Sequence, residues 1–198
     1  MKSTRKSGII VTAVFAIVAV ALAVSCAKPP VAEMEAANQA LTKAEADADA
    51  RLYAPDSLTK ARDLIARMKA GSDEKRYDDA KTLAAEAVVA AEKAIQDGVS
   101  GKAKAKSDAT SLIATVKATL AEVQQAFAAA RKVRGIKLDA TAVDTGLKEA
   151  ATTLAGAESD NAKADYKAAI GKAQNTRSSL AALQKLVTDA VQAASRKK

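Results

Sequence analysis

Histidine and tryptophan are absent from this 198-residue chain, and cysteine occurs once. Without histidine, no side chain titrates near neutrality unaided. One thiol and no imidazole cannot assemble a Cys/His catalytic pair or a Cys/His zinc site. Three tyrosines and two phenylalanines are the only aromatic residues, too few for a base-stacking platform, and no nucleic-acid motif accompanies the basic residues. No nucleic-acid partner is expected. Eight glycines and three prolines leave long stretches without a helix breaker, and no phosphate-cradling glycine loop follows a strand pattern. Acids are plentiful, Asp47/Asp49 and Asp78-Asp79 among them. On alanine-rich helices these stand in water, with little burial to move their pKa into a working range. The expectation is a protein that is not an enzyme and uses no metal or cofactor.

What is present begins with a basic start, Lys2, Arg5 and Lys6, followed by an uncharged stretch from Gly8 to Val24 and then Ser25-Cys26. Charge, apolar run and small junction residue together make an export signal. Leu22-Ala23-Val24-Ser25-Cys26 resembles the lipobox of bacterial lipoproteins, in which the thiol is alkylated by a diacylglyceryl group and the chain is cut just before it. Here the leucine stands four residues before the cysteine rather than three, and Ala23 fills the usual place. The resemblance implies a lipoprotein signal peptide over residues 1–25, lipidation at Cys26, and a lipidated stem over 26–30 stiffened by Pro29-Pro30. The same residues also read as an uncleaved anchor. Ser7 to Ala27 is 21 residues without a charge, long enough to cross a bilayer. The positive-inside bias then leaves the rest outside the cytoplasm. Either way the body is tethered and extracytoplasmic. Ala27 is not the aspartate associated with inner-membrane retention, so the resemblance favours an outer membrane.

Residues 26–198 carry 28 basic and 23 acidic side chains, a net charge of +5. The charges are interspersed, as on solvated helix faces. The densest basic runs, Lys102/Lys104/Lys106 and Arg196-Lys197-Lys198, could touch anionic headgroups, but solvated surface is the simpler reading. Alanine supplies 51 of the 198 residues, and no segment alternates β-branched and polar residues as a strand does.

Apolar spacing predicts five helices. The first runs from Val31 to Leu52, with Met34, Ala37, Leu41, Ala44, Ala48 and Leu52 inward. Pro55 opens a second, which carries Leu58, Ala61, Ile65 and Met68 and stops at Gly71. Ser72 or Asp73 caps a long third helix from about Arg76 to Arg134, bent or weakened at Gly98 and Gly101. A capping-box-like pair, Thr141 and Asp144, starts a fourth over 142–157. Ser159-Asp160-Asn161 is a turn before the last helix, 162–194.

Two parts of the chain look alike at an offset of 89 residues. Leu58 maps to Leu147 and Tyr77 to Tyr166; the alanine matches around them say little in so alanine-rich a chain. The expected fold is all-α. It is an elongated antiparallel helical bundle, or two three-helix bundles (31–98 and 99–198) lying end to end and sharing a long central helix. Tyr77 and Tyr166 read as rings that seal the first turn of a helix rather than as ligand-stacking platforms.

From Tyr53-Ala54-Pro55 through Leu58, Ala61 and Leu64 to Tyr77, Ala80 and Leu83-Ala84, the chain resembles the DUF4398 proteins, short alanine-rich helical bacterial lipoproteins. The resemblance covers about residues 32–96. It implies location and shape, since the family has no assigned chemistry. The expected function is a non-enzymatic cell-envelope lipoprotein. Its membrane partner is reached through the N-terminal lipid, and its helical body serves as spacer, scaffold or docking surface toward an envelope protein or peptidoglycan. An alternative is an extracytoplasmic binding protein for a lipid, peptide or cell-wall component, although no apolar patch beyond core needs stands out. A sharper variant is that Lys198 is joined to peptidoglycan, as Ser195-Arg196-Lys197-Lys198 is similar to the Arg-Lys terminus of murein lipoprotein. The simpler account is that these cations complement a helix C-terminus.

Overall fold

The computed structural model describes residues 28–196. The leader, Cys26 and Lys198 lie outside them. Six helices and no strand occur among the described residues: α1 (Val31–Ala46), α2 (Ala48–Tyr53), α3 (Pro55–Asp73), α4 (Tyr77–Ala130), α5 (Ala140–Ala162) and α6 (Tyr166–Ser195). The protein is all-α, as expected. Contacts divide it into two compact units meeting in sequence at Gly98–Val99. Helix α4 runs unbroken through that boundary and contributes to both.

The expected first helix is two. Asp47 leaves helical geometry (φ −70°, ψ 121°) and its carboxylate accepts the Ala50 N–H at 2.7 Å, capping α2. Competition of a short acidic side chain for backbone donors is what makes aspartate a helix starter rather than a helix interior residue. The break re-phases the inward stripe. Ala50 becomes buried, while Ala48 and Leu52, expected inside, are exposed.

Gly71 does not end α3, and neither Ser72 nor Asp73 caps α4. All three lie within α3, which closes two residues beyond the glycine in a Schellman turn. There the Arg76 N–H donates to the Gly71 carbonyl at 2.8 Å and the Lys75 N–H to the Ser72 carbonyl at 3.0 Å, with Lys75 at φ +61°. Asp139, not Thr141, caps α5 by accepting the Ala142 N–H at 3.0 Å. Helix α5 then continues through Ser159-Asp160-Asn161 and ends in a second Schellman turn. In it the Asp165 N–H donates to the Asp160 carbonyl at 2.9 Å, and Ala164 is at φ +63°. Asp165 caps α6 by accepting the Ala168 N–H at 3.2 Å.

Glycine 98 neither ends nor breaks α4. A methyl group there would lie 2.5 Å from the Ala50 nitrogen and 2.7 Å from the Asp49 carbonyl carbon. The glycine is present because the α2 backbone crosses α4 at that point.

In the first unit α1, α3 and the start of α4 close around Leu58, Ile65, Met68 and a line of alanines. One row of buried positions on α4 falls at Ala80, Ala84, Ala87, Ala91, Ala94 and Gly98, with Ala90 buried beside it. This alternation of four and three is the spacing of a knobs-into-holes seam. In the second unit the same alternation runs through Val143, Leu147, Ala150, Leu154 and Ala157 on α5. It recurs in Ala169, Ala173, Thr176 and Leu180 on α6, and α4 adds Val116, Val123 and Phe127. Thr176 satisfies its buried hydroxyl by donating to the Lys172 carbonyl at 2.9 Å.

Candidate functional site

Both sites named from sequence, Cys26 and Lys198, lie outside the described residues. The acids considered there take structural places: Asp47 caps α2, and Asp79 pairs with Arg76 at 2.9 Å. Lys104 of the basic run pairs with Asp108 at 2.7 Å. Among the described residues no group of three metal-ligating side chains is close enough to hold an ion. None of their helices is long and apolar enough to cross a membrane.

What the first unit does possess is an asymmetric hairpin. Helix α1 covers one flank of the α3–α4 pair. Arg62 of α3 reaches Glu45 of α1 at 2.7 Å, and Lys81 of α4 reaches Glu33 at 3.3 Å. Glu33 is held below the ordinary carboxylate range, first by its own backbone N–H and then by Lys81.

The opposite flank is an open groove of about 550 Å³. Heptad-like spacing builds its walls: Ser57, Lys60, Leu64 and Arg67 along α3, Glu86, Val89 and Lys93 along α4. Leu64 and Ala90 are nearly buried at its floor, while Val89 is 64% exposed. One end is tied by the Ser57 hydroxyl, which donates to Asp97 at 2.6 Å, and by Lys93, whose ammonium lies 2.8 Å from the same carboxylate. Lys93 and then Ser57 hold the Asp97 carboxyl below its usual range. Lys60 and Arg67 have no ion-pair partner among the described residues.

The second hairpin carries a groove at the same place, about 350 Å³, lined by Gly146, Glu149 and Thr153 of α5 and Asn175, Ser179 and Ala182 of α6. Each of these stands 89 residues after a residue of the first groove. Its chemistry is different, with hydroxyl, amide and acid where the first has aliphatic and cationic side chains.

The groove that sequence inspection did not find sets one exposed apolar side chain, Val89, above the core residues Leu64 and Ala90. The signal was available as a second stripe on α3, Ser57-Lys60-Leu64-Arg67, spaced like the core stripe beside it. It is half polar, which hid it among solvated positions.

No curated protein and no solved structure matches the chain. Residues 32–110 match the family model described as "Domain of unknown function (DUF4398)". That stretch takes in α1 to α3, the first unit's part of α4 and the opening residues of the second. It is a DUF4398-type domain.

Proposed function

We propose that this chain is a non-enzymatic lipoprotein of a bacterial cell envelope, with its helical body serving as a tethered scaffold and docking surface outside the cytoplasm. The observation that carries the reading is Cys26, the sole thiol, placed directly behind the uncharged run Gly8–Val24 and Ser25. The body is consistent with it: helices closed by alanine seams, and carboxylates spent on caps and surface ion pairs. Two or more acyl chains on one cysteine suffice for stable anchoring where a single chain gives only marginal binding. An outer membrane is favoured through Ala27.

Metabolic labelling with a palmitate analogue tests the reading. Wild type is expected to carry the label and sediment with membranes, and Cys26→Ala to lose both. Unlabelled wild-type protein recovered with an intact leader would overturn it.

The first unit's open groove favours docking over a bare spacer. Val89 stands exposed opposite the cationic α3 rim of Lys60 and Arg67.

A further inference from the structure

We infer that the α3–α4 groove of the first unit receives an amphipathic helix from a partner protein, one that carries carboxylates along its flanks. The groove has the register of a helix seam. Ser57, Lys60, Leu64 and Arg67 follow one another at three, four and three residues, as do the buried positions that hold α3 in its own bundle. An incoming helix that packs knobs into this row joins as one further member of the bundle.

The floor supplies the apolar contact. Leu64 and Ala90 lie beneath, and Val89, 64% exposed, offers a knob. The rim supplies the sign. Lys60 and Arg67 face one acid of the lining, Glu86, while Lys93 is already paired with Asp97. Lys60 and Arg67 are one heptad apart, about 10.5 Å along the helix axis. They therefore suit two carboxylates spaced by a heptad on the partner.

The second unit provides an internal contrast. Its groove, built on the same hairpin, has Glu149 in place of Lys60 and Thr153 in place of Leu64, and Ser178 stands 89 residues after Val89 in sequence. It keeps an apolar side chain, half-buried Leu183, but has Glu149 and Gly156 where the first unit has Lys60 and Arg67, so the cationic recognition chemistry belongs to the first unit. The proposal rests on the docking half of the reading above and not on the anchor. Loss of lipid at Cys26 and loss of groove binding are separate failures, seen in separate assays.

The test uses the full-length chain in detergent and a synthetic three-heptad peptide, leucine and alanine inside and glutamate on both flanks, followed by fluorescence anisotropy. A twin with lysine on the flanks is the control. The acidic peptide is expected to bind about tenfold or more tighter than its twin. K60E/R67E should invert the preference, Val89→Asp should weaken binding to either peptide, and Glu149→Lys in the second groove should change nothing. Circular dichroism of each variant establishes that the helices persist. Equal or absent binding of the two peptides overturns the proposal, as does an unchanged preference in K60E/R67E. Displacement of the acidic peptide from the wild-type chain by short-chain phosphatidylglycerol would also overturn it by assigning the groove to a lipid.

Discussion

Placed 89 residues apart, the two hairpins share a frame and differ in what fills it. Eleven hairpin residues are buried in the second unit, from Val143 to Val187. Ten of their counterparts in the first are buried too, and the eleventh, Tyr166, corresponds to half-buried Tyr77. Both turns are Schellman turns with a non-glycine residue at positive φ, Lys75 in one and Ala164 in the other. The shared frame is therefore backbone geometry and burial register, which survive while side chains change. Leu180 stands where the first unit has Ala91, and Val187 where it has Gly98. The Lys172–Asp160 ion pair at 2.7 Å occupies the places of Leu83 and Gly71. The first unit fills its core with fewer large side chains on α4 because other backbone, that of α2, comes against it.

The largest expected effect comes from erasing that difference. Leu180→Ala gives the second unit the residue of the first, without the neighbours that make alanine sufficient there. It should cost roughly 2–5 kcal/mol in urea unfolding; a loss under about 1 kcal/mol would mean that the seam closes up.

Gly98→Ala comes next. Helix propensity alone favours it by about 1 kcal/mol, yet the new methyl would meet Ala50 backbone at 2.5 Å, and overpacking of this kind costs about 1–3 kcal/mol. Gly146→Ala is the contrast, because it meets only the movable ends of Leu183 at 3.0 Å. It should be near neutral, and equal effects at the two glycines would refute the close approach of α2.

Asp160→Ala should cost about 1–3 kcal/mol, because it strips a carboxylate only 16% exposed from Lys172, which is 46% exposed. Adding Lys172→Leu, the first unit's residue, should return most of that; a double variant no more stable than the single would deny the equivalence of the two positions. Ala164→Gly and Lys75→Gly relieve left-handed backbone and should each add up to about 1 kcal/mol, read as a rise in the unfolding midpoint.

The smallest effect is a difference in acid response. Asp97 has a lowered folded-state pKa, so its contribution is complete above the unfolded value of about 3.9 and is lost as pH falls through the folded value. Leu186 occupies the equivalent place in the second unit. Asp97→Asn should therefore narrow the difference in stability between pH 5 and pH 3 (about one unit either side of that value) without touching the second hairpin. An unchanged difference would remove Asp97 from the account.

Much of this frame was legible in the residues. The three-and-four spacing of Leu58, Ala61, Ile65 and Met68, and of Val143, Leu147, Ala150 and Leu154, placed α3 and α5 with their inward faces. Pro55 marked a helix start because its missing N–H is no loss there. Helix ends were read less well, for one physical reason: a cap is a local competition between side chain and backbone. Ser72, Asp73 and Ser159-Asp160-Asn161 have cap-like side chains but sit where helix packing continues, whereas Asp47, inside an apolar stripe, wins its competition. Gly98 was ambiguous because a glycine's meaning depends on what crosses it, and nothing in the α4 sequence mentions α2. The groove was hidden for the related reason that a docking face must also be soluble when empty.

Helix α4 has a consequence for how the molecule forms. Its hydrogen-bonded ladder spans the boundary at Gly98–Val99, and starting a helix is the expensive event while lengthening one is cheap. Whichever unit orders first therefore hands the other a ready-made end to grow from. Cutting the chain at Val99 would leave the C-terminal piece to begin that coil unaided, slowing its acquisition of structure even if every side-chain contact within it were kept.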